Sequence, residues 1–328
     1  MFRTFLTSLA LLAAAPAMAQ EYPAKTVKLI VPFAAGGGTD ILARIIAQKL
    51  QEKWGQSFVI ENQPGASGGT GSRAVMRAPA DGYTLLMAST GALMAAAASL
   101  GSEPFDVTAH LSPITLVAAP PYVITVNPKV LAKTPADLIA LARNRSAAES
   151  LTYGSSGVGA ASHLTGELFQ KEGKIEMLHV PYSGTGPAVN DLLAGHIEVM
   201  FAPPQTVQQL VETGKLNALA TTGSVRSPLF PNTPTVAESG APGFESVGWF
   251  GLLAPPRTPA AIITKLNAEI VALLGTPDIK QRLAALGAEP QPQSPKQFSA
   301  YINADIAKWT ILTREIETKQ QMLKDKKP

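Results

Sequence analysis

The chain has 328 residues, no cysteine, and 27 Lys and Arg against 24 Asp and Glu. The missing cysteines exclude a disulfide framework, a thiolate metal site and a lipid anchor on an N-terminal cysteine. Only 16% of residues are charged, and the basic ones are scattered apart from a C-terminal "KDKK", which excludes an extended basic face for nucleic acid.

The first nineteen residues, "MFRTFLTSLALLAAAPAMA", carry Arg3, an apolar stretch from Phe5 to Ala15 and an Ala17-Met18-Ala19 box. That is the make-up of a secretory signal cleaved after Ala19. No later stretch is apolar for ~18 residues without interruption, so no spanning helix is expected. What remains is long enough for two domains, and an exported chain without disulfides must draw its stability from a large core.

From Val27 onward, short apolar runs alternate with helical stretches. "VKLIVPF", "SFVIEN", "YTLLMAS", "PITLVAA", "YVITVN", "LTYGSS", "EMLHVPY", "IEVMFAP" and "LNALATTG" are the candidate strands. Between them "DILARIIAQKLQEKW", "TPADLIALARNR", "SHLTGELFQKEG", "GPAVNDLLAGH" and "PQTVQQLVETGK" have helical spacing. Such alternation predicts an α/β protein with parallel sheets covered by helices on both faces. Thr134-Pro135 and Thr258-Pro259 each offer an N-cap hydroxyl followed by proline at the first helical position. Gly173 and Gly214 stand where a left-handed C-cap residue is wanted. Near Ser224 the chain turns rich in Pro, Gly and Ser, and the stretch to Pro259 reads as a long surface path before three helices follow. A late helical run with few strands is expected to pack back on the first part of the chain. The result is two lobes, residues 21–121 with 224–328 and an inserted 122–223, joined by two crossovers that act as a hinge beside a ligand cleft.

Three strand-to-helix junctions are built from small residues. In "KLIVPFAAGGGTDILARIIAQKL", Gly36, Gly37 and Gly38 lead into a helix, whose first N–H groups lack intrahelical acceptors. Thr39 can cap or donate its hydroxyl to a ligand; Asp40 suits a helix-start cap better than a ligand contact. In "LTYGSSGVGAASHLTGELF", Ser155, Ser156 and Gly157 supply hydroxyls and N–H groups, and His163 is either packed or ligand-facing. In "HVPYSGTGPAVNDLL", Gly184, Thr185 and Gly186 repeat the design. One such junction is an ordinary tight turn. Three, at the strand ends of open α/β sheets, can converge on one anion. None has the lysine of a P-loop or the spacing of a dinucleotide fingerprint.

Two motif matches compete. "GASGG" fits G-x-S-x-G with Ser67 as a hydrolase nucleophile, but Asn62, Gln63 and Pro64 separate it from the preceding strand, and the last histidine is His196. "GTGSRA" from Gly69 to Ala74 fits G-x-G-x-x-A without a strand leading into it. The histidines at 110, 163, 179 and 196 have no paired helix spacing, so no metal site is expected.

These segments, together with "ENQPGASGGTGS", "PADGYTLLMAST", "HVPYSGTGPAVNDLLAGHIEVMF" and "WFGLLAP", resemble the substrate-binding receptors of tripartite tricarboxylate transporters, the Bug or TctC-like family, from about Glu21 to about Trp309. The resemblance implies a periplasmic, two-lobed binding protein of the type II-like, Venus-flytrap form. It would act as a monomer without cofactor or catalysis, capturing a small carboxylate, dicarboxylic or aromatic, for one large and one small integral membrane subunit. The ligand contacts it implies are Phe33, Ala34, Gly37, Gly38, Thr39 and Asp40 in the first loop. Ser155, Ser156, Gly157 and His163 follow in the second, with Thr185 and Thr90 beside them. Two departures from the family pattern, Ala202 where an Asp often follows "MF" and "ALMAAAASLGSEP" where an Asn-Pro often occurs, suggest a less polar cleft and a ligand whose distal end is apolar or aromatic. An α/β-hydrolase-like enzyme using Ser67 is the competing reading.

Overall fold

The computed structural model describes residues 22–100 and 105–325, so the expected signal segment lies outside the described residues. In chain order the first part runs β1 (Val27–Val31), α1 (Gly38–Trp54), β2 (Phe58–Asn62), α2 (Gly69–Met76), β3 (Thr84–Ser89), α3 (Thr90–Leu100), α4 (Val107–His110) and β4 (Ser112–Ala118). The middle part holds β5 (Val123–Val126), α5 (Pro135–Asn144), β6 (Thr152–Ser155), α6 (Ala161–Gly173), β7 (Leu178–Pro181), α7 (Thr185–Ala194), β8 (Val199–Ala202), α8 (Pro204–Glu212) and β9 (Asn217–Thr221). The chain ends with β10 (Phe250–Ala254), α9 (Ala260–Leu274), α10 (Pro277–Ala284) and α11 (Pro295–Asp325).

Two five-stranded sheets result, ordered β2-β1-β3-β10-β4 and β7-β6-β8-β5-β9. Each is mixed rather than purely parallel. β1 is parallel to β2 and β3, but β10 runs antiparallel between β3 and β4. β6 is parallel to β7 and β8, but β5 runs antiparallel between β8 and β9. The reason is the crossover. β5 and β10 are the first strands after the chain passes between the sheets, so each enters its sheet from the edge at which the neighbouring strands end. Phe250 therefore pairs with Ser89 at the end of β3, and Val123 with Ala202 at the end of β8.

Both faces of each sheet are covered. On one face of the first sheet, Leu42, Ile46 and Leu50 recur at helical spacing along α1 and bury against Leu29, Val31 and Leu266; on the other, Ile30 and Leu86 meet Trp249, Phe298 and Ile302. Each such fully buried side chain contributes about 1.5–3 kcal/mol. The second sheet repeats this, with Ile124, Phe169 and Phe201 on one face and Val123, Leu192 and Met200 on the other. The segment after Ser224, expected with the first lobe, packs on the second: Val236 and Phe244 lie in its core, and Thr235 bridges to Thr221. The chain recrosses beside the outgoing strand, where the Gly248 N–H donates to Pro120 O at 3.0 Å and Val247 bridges to Pro121.

Helix ends follow local chemistry. Thr134 and Asp137 form a reciprocal capping box with Pro135 at the first position of α5. Thr258 does not cap α9; its hydroxyl donates to Pro255 O at 2.8 Å and Pro259 takes the cap position. Gly214 is left-handed (φ 70°) as expected, but after α6 that role falls to Lys174 rather than Gly173. Among the described residues no single helix is long and apolar enough to cross a membrane.

Candidate functional site

The first junction leaves β1 at Val31 and is shaped by Asp40. Its carboxylate accepts the Gly36 N–H at 2.9 Å, Arg44 Nε at 2.9 Å and Nη2 at 3.0 Å, and Asn62 Nδ2 at 3.0 Å. Burial favours the neutral acid, but these bonds outweigh it and hold the carboxyl down at about 2. The loop curls over the start of α1, with Gly36 at φ 87°. Asp40 is thus bound to its own loop, as a cap-like residue, with its lone pairs committed. Gly37 precedes the helix without a capping side chain, so the N–H groups of the first turn stay open toward the loop mouth. Thr39 is buried. Phe33 is half-buried, and its ring tip would lie 3.0 Å from a Cβ on Gly68, so it packs down on the turn before α2.

The second junction follows β6. Ser155 is wholly buried; its Oγ lies 2.6 Å from His179 Nε2, accepts the Gly157 N–H at 3.2 Å and donates to Gly157 O at 3.1 Å. The Ser156 N–H donates to Ser162 Oγ at 3.1 Å. His163 is half-buried, and its Nδ1 accepts the Gly159 N–H at 3.2 Å. Gly157 and Gly159 have φ values of 134° and 76°, so the loop needs them. No side chain caps α6.

The third junction lies alongside: a Cβ on Gly157 would be 3.4 Å from Tyr182 O, and α7 begins at Thr185 without a side-chain cap. Thr90, the first residue of α3, is 1% exposed; its Oγ1 accepts the Trp249 N–H at 3.4 Å and its hydroxyl bonds Asp305. It fixes the start of α3 from behind.

The two sheets bring these junctions together. A Cβ on Gly91 would lie 3.9 Å from Gly159 O and 4.0 Å from Ala160 Cα. One on Gly38 would lie 3.6 Å from Phe250 Cζ and 3.9 Å from Gln205 Nε2. The starts of α1 and α3 on one side and of α6 and α8 on the other thus share one cleft. Gln205 and Phe250 were not among the expected residues. Runs of Gly and Ser mark the other junctions in the sequence, whereas "MFAPPQ" makes the same strand-to-helix junction with prolines. Of the departures in sequence, Ala202 is wholly buried in the second lobe's core, and Ala92, Leu93 and Ala96 of α3 are buried too.

Elsewhere, Ser67 is exposed at φ 52° in a short 3-10 turn, and four residues separate it from β2. Gly69 to Ala74 form the body of α2, where Gly71 permits contact with Pro32 and Gln63 O. Among the described residues no group of three His, Asp or Glu could hold a metal ion. A cavity of about 590 Å³ opens behind α6, lined by Arg145, Glu167, Lys171, Lys174, Leu312 and Glu315 among others. Two of its cations are already paired, Arg145 with Glu198 at 2.8 Å and Lys171 with Glu315 at 2.6 Å. The cleft at the helix starts has the open donors and is the better anion site.

A family model described as tripartite tricarboxylate transporter family receptor matches residues 42–318. Protein BugT of Bordetella pertussis is 38% identical over 307 residues, 93% of this chain and 94% of its own. The R. palustris protein Rpa4515, solved with adipate, superposes with a TM-score of 0.78 at 36% identity over 90% of this chain and 98% of the other. MatC of Rhodopseudomonas palustris, solved with bound malate, gives a TM-score of 0.76 at 31% identity over 89% and 99%.

Proposed function

The chain belongs to the tripartite tricarboxylate transporter receptor family, and from that premise we propose that it captures a small carboxylate between its lobes in the periplasm. It then delivers that ligand to a membrane transporter of one large and one small integral subunit, acting as a monomer. The observation that carries the proposal is the meeting of helix starts from both sheets, at Gly38 opposite Gln205 and at Gly91 opposite Gly159.

In this reading the acid group is held without a cationic side chain. The first turn of α1, with Gly37, Gly38, Thr39 and the backbone of Ala34, donates from one lobe. Ser156, through its hydroxyl, and Thr185 donate from the other, the Gly157 N–H being given to Ser155 Oγ and the Ser156 N–H to Ser162 Oγ. Asp40, Thr90, Ser155 and His163 do not touch the ligand but hold the donors in place. A hydrogen bond to a charged group contributes roughly 1.5–3 kcal/mol, and a helix start on the order of 0.3–1 kcal/mol more. Four or five such bonds offset the association costs and reach the ~8 kcal/mol of a micromolar complex. We place the lobes at 22–118 with 250–325, and at 122–246, with the crossovers between them.

The two structural relatives hold adipate and malate, both dicarboxylates. Here Phe33, Phe250 and Val158, which is 66% exposed at the tip of the second loop, favour a ligand whose distal part is apolar. A thermal-shift panel of adipate, malate, benzoate, citrate and aspartate tests both levels. Stabilisation by adipate or benzoate is expected, since a ligand at 100 times its Kd contributes about 2.7 kcal/mol. Stabilisation by citrate or aspartate alone would overturn the apolar reading, and no shift with any carboxylate would overturn the receptor.

A further inference from the structure

We propose that His163 and His179 form a proton-sensitive latch that holds the Ser155–Gly159 loop in its donor-presenting shape only while both rings are neutral. The inference rests on the reading of that loop as a ligand loop.

The two imidazoles stack with centroids 4.1 Å apart and 25° between planes. Tyr153 continues the stack at 4.9 Å from His179. Each ring is bonded to the loop. His163 Nδ1 accepts the Gly159 N–H at 3.2 Å, so the proton of the neutral ring sits on Nε2, 3.7 Å from Glu167 Oε1. His179 Nε2 meets Ser155 Oγ at 2.6 Å, and that hydroxyl also takes the Gly157 N–H. The two glycines of the loop are therefore each tied to a histidine, one directly and one through Ser155.

A proton added to His163 must go to Nδ1, the atom that accepts the Gly159 N–H. Two donors then face each other and the bond is lost. A proton on His179 as well would place two cations in stacking contact. The titratable groups facing the rings are few. Glu167 comes from α6 and takes hydrogen bonds from the Tyr153 hydroxyl and from Gln170 Nε2. Tyr153 comes from β6. Beyond Glu167, Arg145, Lys171 and Glu315 line the cavity behind α6, engaged with Glu198 and with each other. Burial holds both imidazoles down at about 4. Because the latched rings titrate below the ordinary value of about 6.5, the latch is intact above that value and is lost as pH falls through 4.

The test reads the loop itself as well as binding. In wild type, hydrogen exchange at the Gly157 and Gly159 amides is expected to accelerate as pH falls from 6.5 to 4, beyond the intrinsic pH dependence of amide exchange. In the double variant His163→Asn, His179→Asn, with no titratable ring, that excess is expected to vanish. Calorimetry with adipate as the probe is expected to show a steeper loss of affinity over the same range in wild type, by about tenfold, the effect of one hydrogen bond to a charged group. His163→Phe, which keeps the ring stack and removes the acceptor, is expected to show fast Gly159 exchange at every pH. Equal pH slopes in wild type and the double variant, in exchange and affinity, would overturn the latch. If adipate and every other carboxylate fail to bind at neutral pH, the receptor reading falls, and the amide exchange still decides the latch.

Discussion

At the scale of single residues, the loops of the proposed site are shaped by side chains bonded within them. Asp40 is the clearest case: 2% exposed, it ties Gly36 to Arg44 and Asn62. "GGGTD" in the sequence announces an acid at a helix start, but the partners that decide its role include Asn62, on a different strand, which no local pattern reports. Its carboxyl is held at about 2, below its ordinary value of 3.8, so its contribution to stability is present above pH 4 and is lost as pH falls toward 2. That shift corresponds to about 2 kcal/mol. Asp40→Ala is expected to lose about that much in urea unfolding at pH 7 and to weaken carboxylate binding, with the stability gap closing between pH 4 and pH 2. A gap that stays constant over that range would assign the loss to packing. Ser67 makes the contrasting prediction. It is exposed and four residues separate it from its strand, so Ser67→Ala is expected to leave the melting response to carboxylates unchanged; a lost response would reopen the nucleophile reading.

At the scale of elements, periodicity makes most helices and strands legible in the sequence, because burial on two faces leaves a strong apolar pattern. The direction of β5 is not legible there, and β10, inside the stretch that reads as a surface path, instead fills the gap between β3 and β4. An apolar run such as "FGLLA" has no polarity of its own, and its orientation comes from the crossover that feeds it. The glycines of "GASGGTGS" are legible as a motif but not as packing. A Cβ on Gly68 would come within 2.7 Å of Ala92 Cβ, so α2 and α3 meet there only because the position is glycine. α11 carries the least legible device. Its Asp305 accepts Trp249 Nε1 at 2.7 Å and Trp309 Nε1 at 2.8 Å and receives the Thr90 hydroxyl. One carboxylate thus fixes the strand that recrosses between lobes, the start of α3 at the cleft, and a tryptophan packed on Leu164 of the opposite lobe. Asp305→Ala is expected to lower the unfolding free energy by about 1–3 kcal/mol through the stranded indole donors. It should also weaken carboxylate binding by displacing Thr90. An unchanged denaturation midpoint would show that water satisfies both indoles.

At the scale of the whole molecule, two lobes are legible from the alternation of elements, while the point of return is not. The change in composition at Ser224 marks where regular structure stops, not where the chain leaves the second core, and Val236 and Phe244 remain in that core. The true passage is narrow. Pro120 and Pro121 lie beside Val247 and Gly248, and a Cβ on Gly248 would fall 2.7 Å from the Tyr122 hydroxyl. Two short, paired segments of this kind bend more readily than either sheet, so the motion they permit is rotation of one lobe against the other. A ligand drives that rotation only if it binds one arrangement better. In the proposed site, donors split between α1 and the second lobe would supply such a difference, since each lobe alone would hold only part of the bonds. Moving a 1:99 mixture to 99:1 needs about 5.5 kcal/mol of differential binding, which two or three charge-assisted bonds from the second lobe can provide. The absence of native cysteine makes the measurement clean. With spin labels on Ala35→Cys and Gln208→Cys, one beside each half of the cleft, adipate is expected to narrow the distance distribution and shift it shorter. Gly248→Val, which crowds Tyr122, is expected to blunt the shift. Tight adipate binding with an unaltered distribution would mean that the ligand is held by one lobe alone.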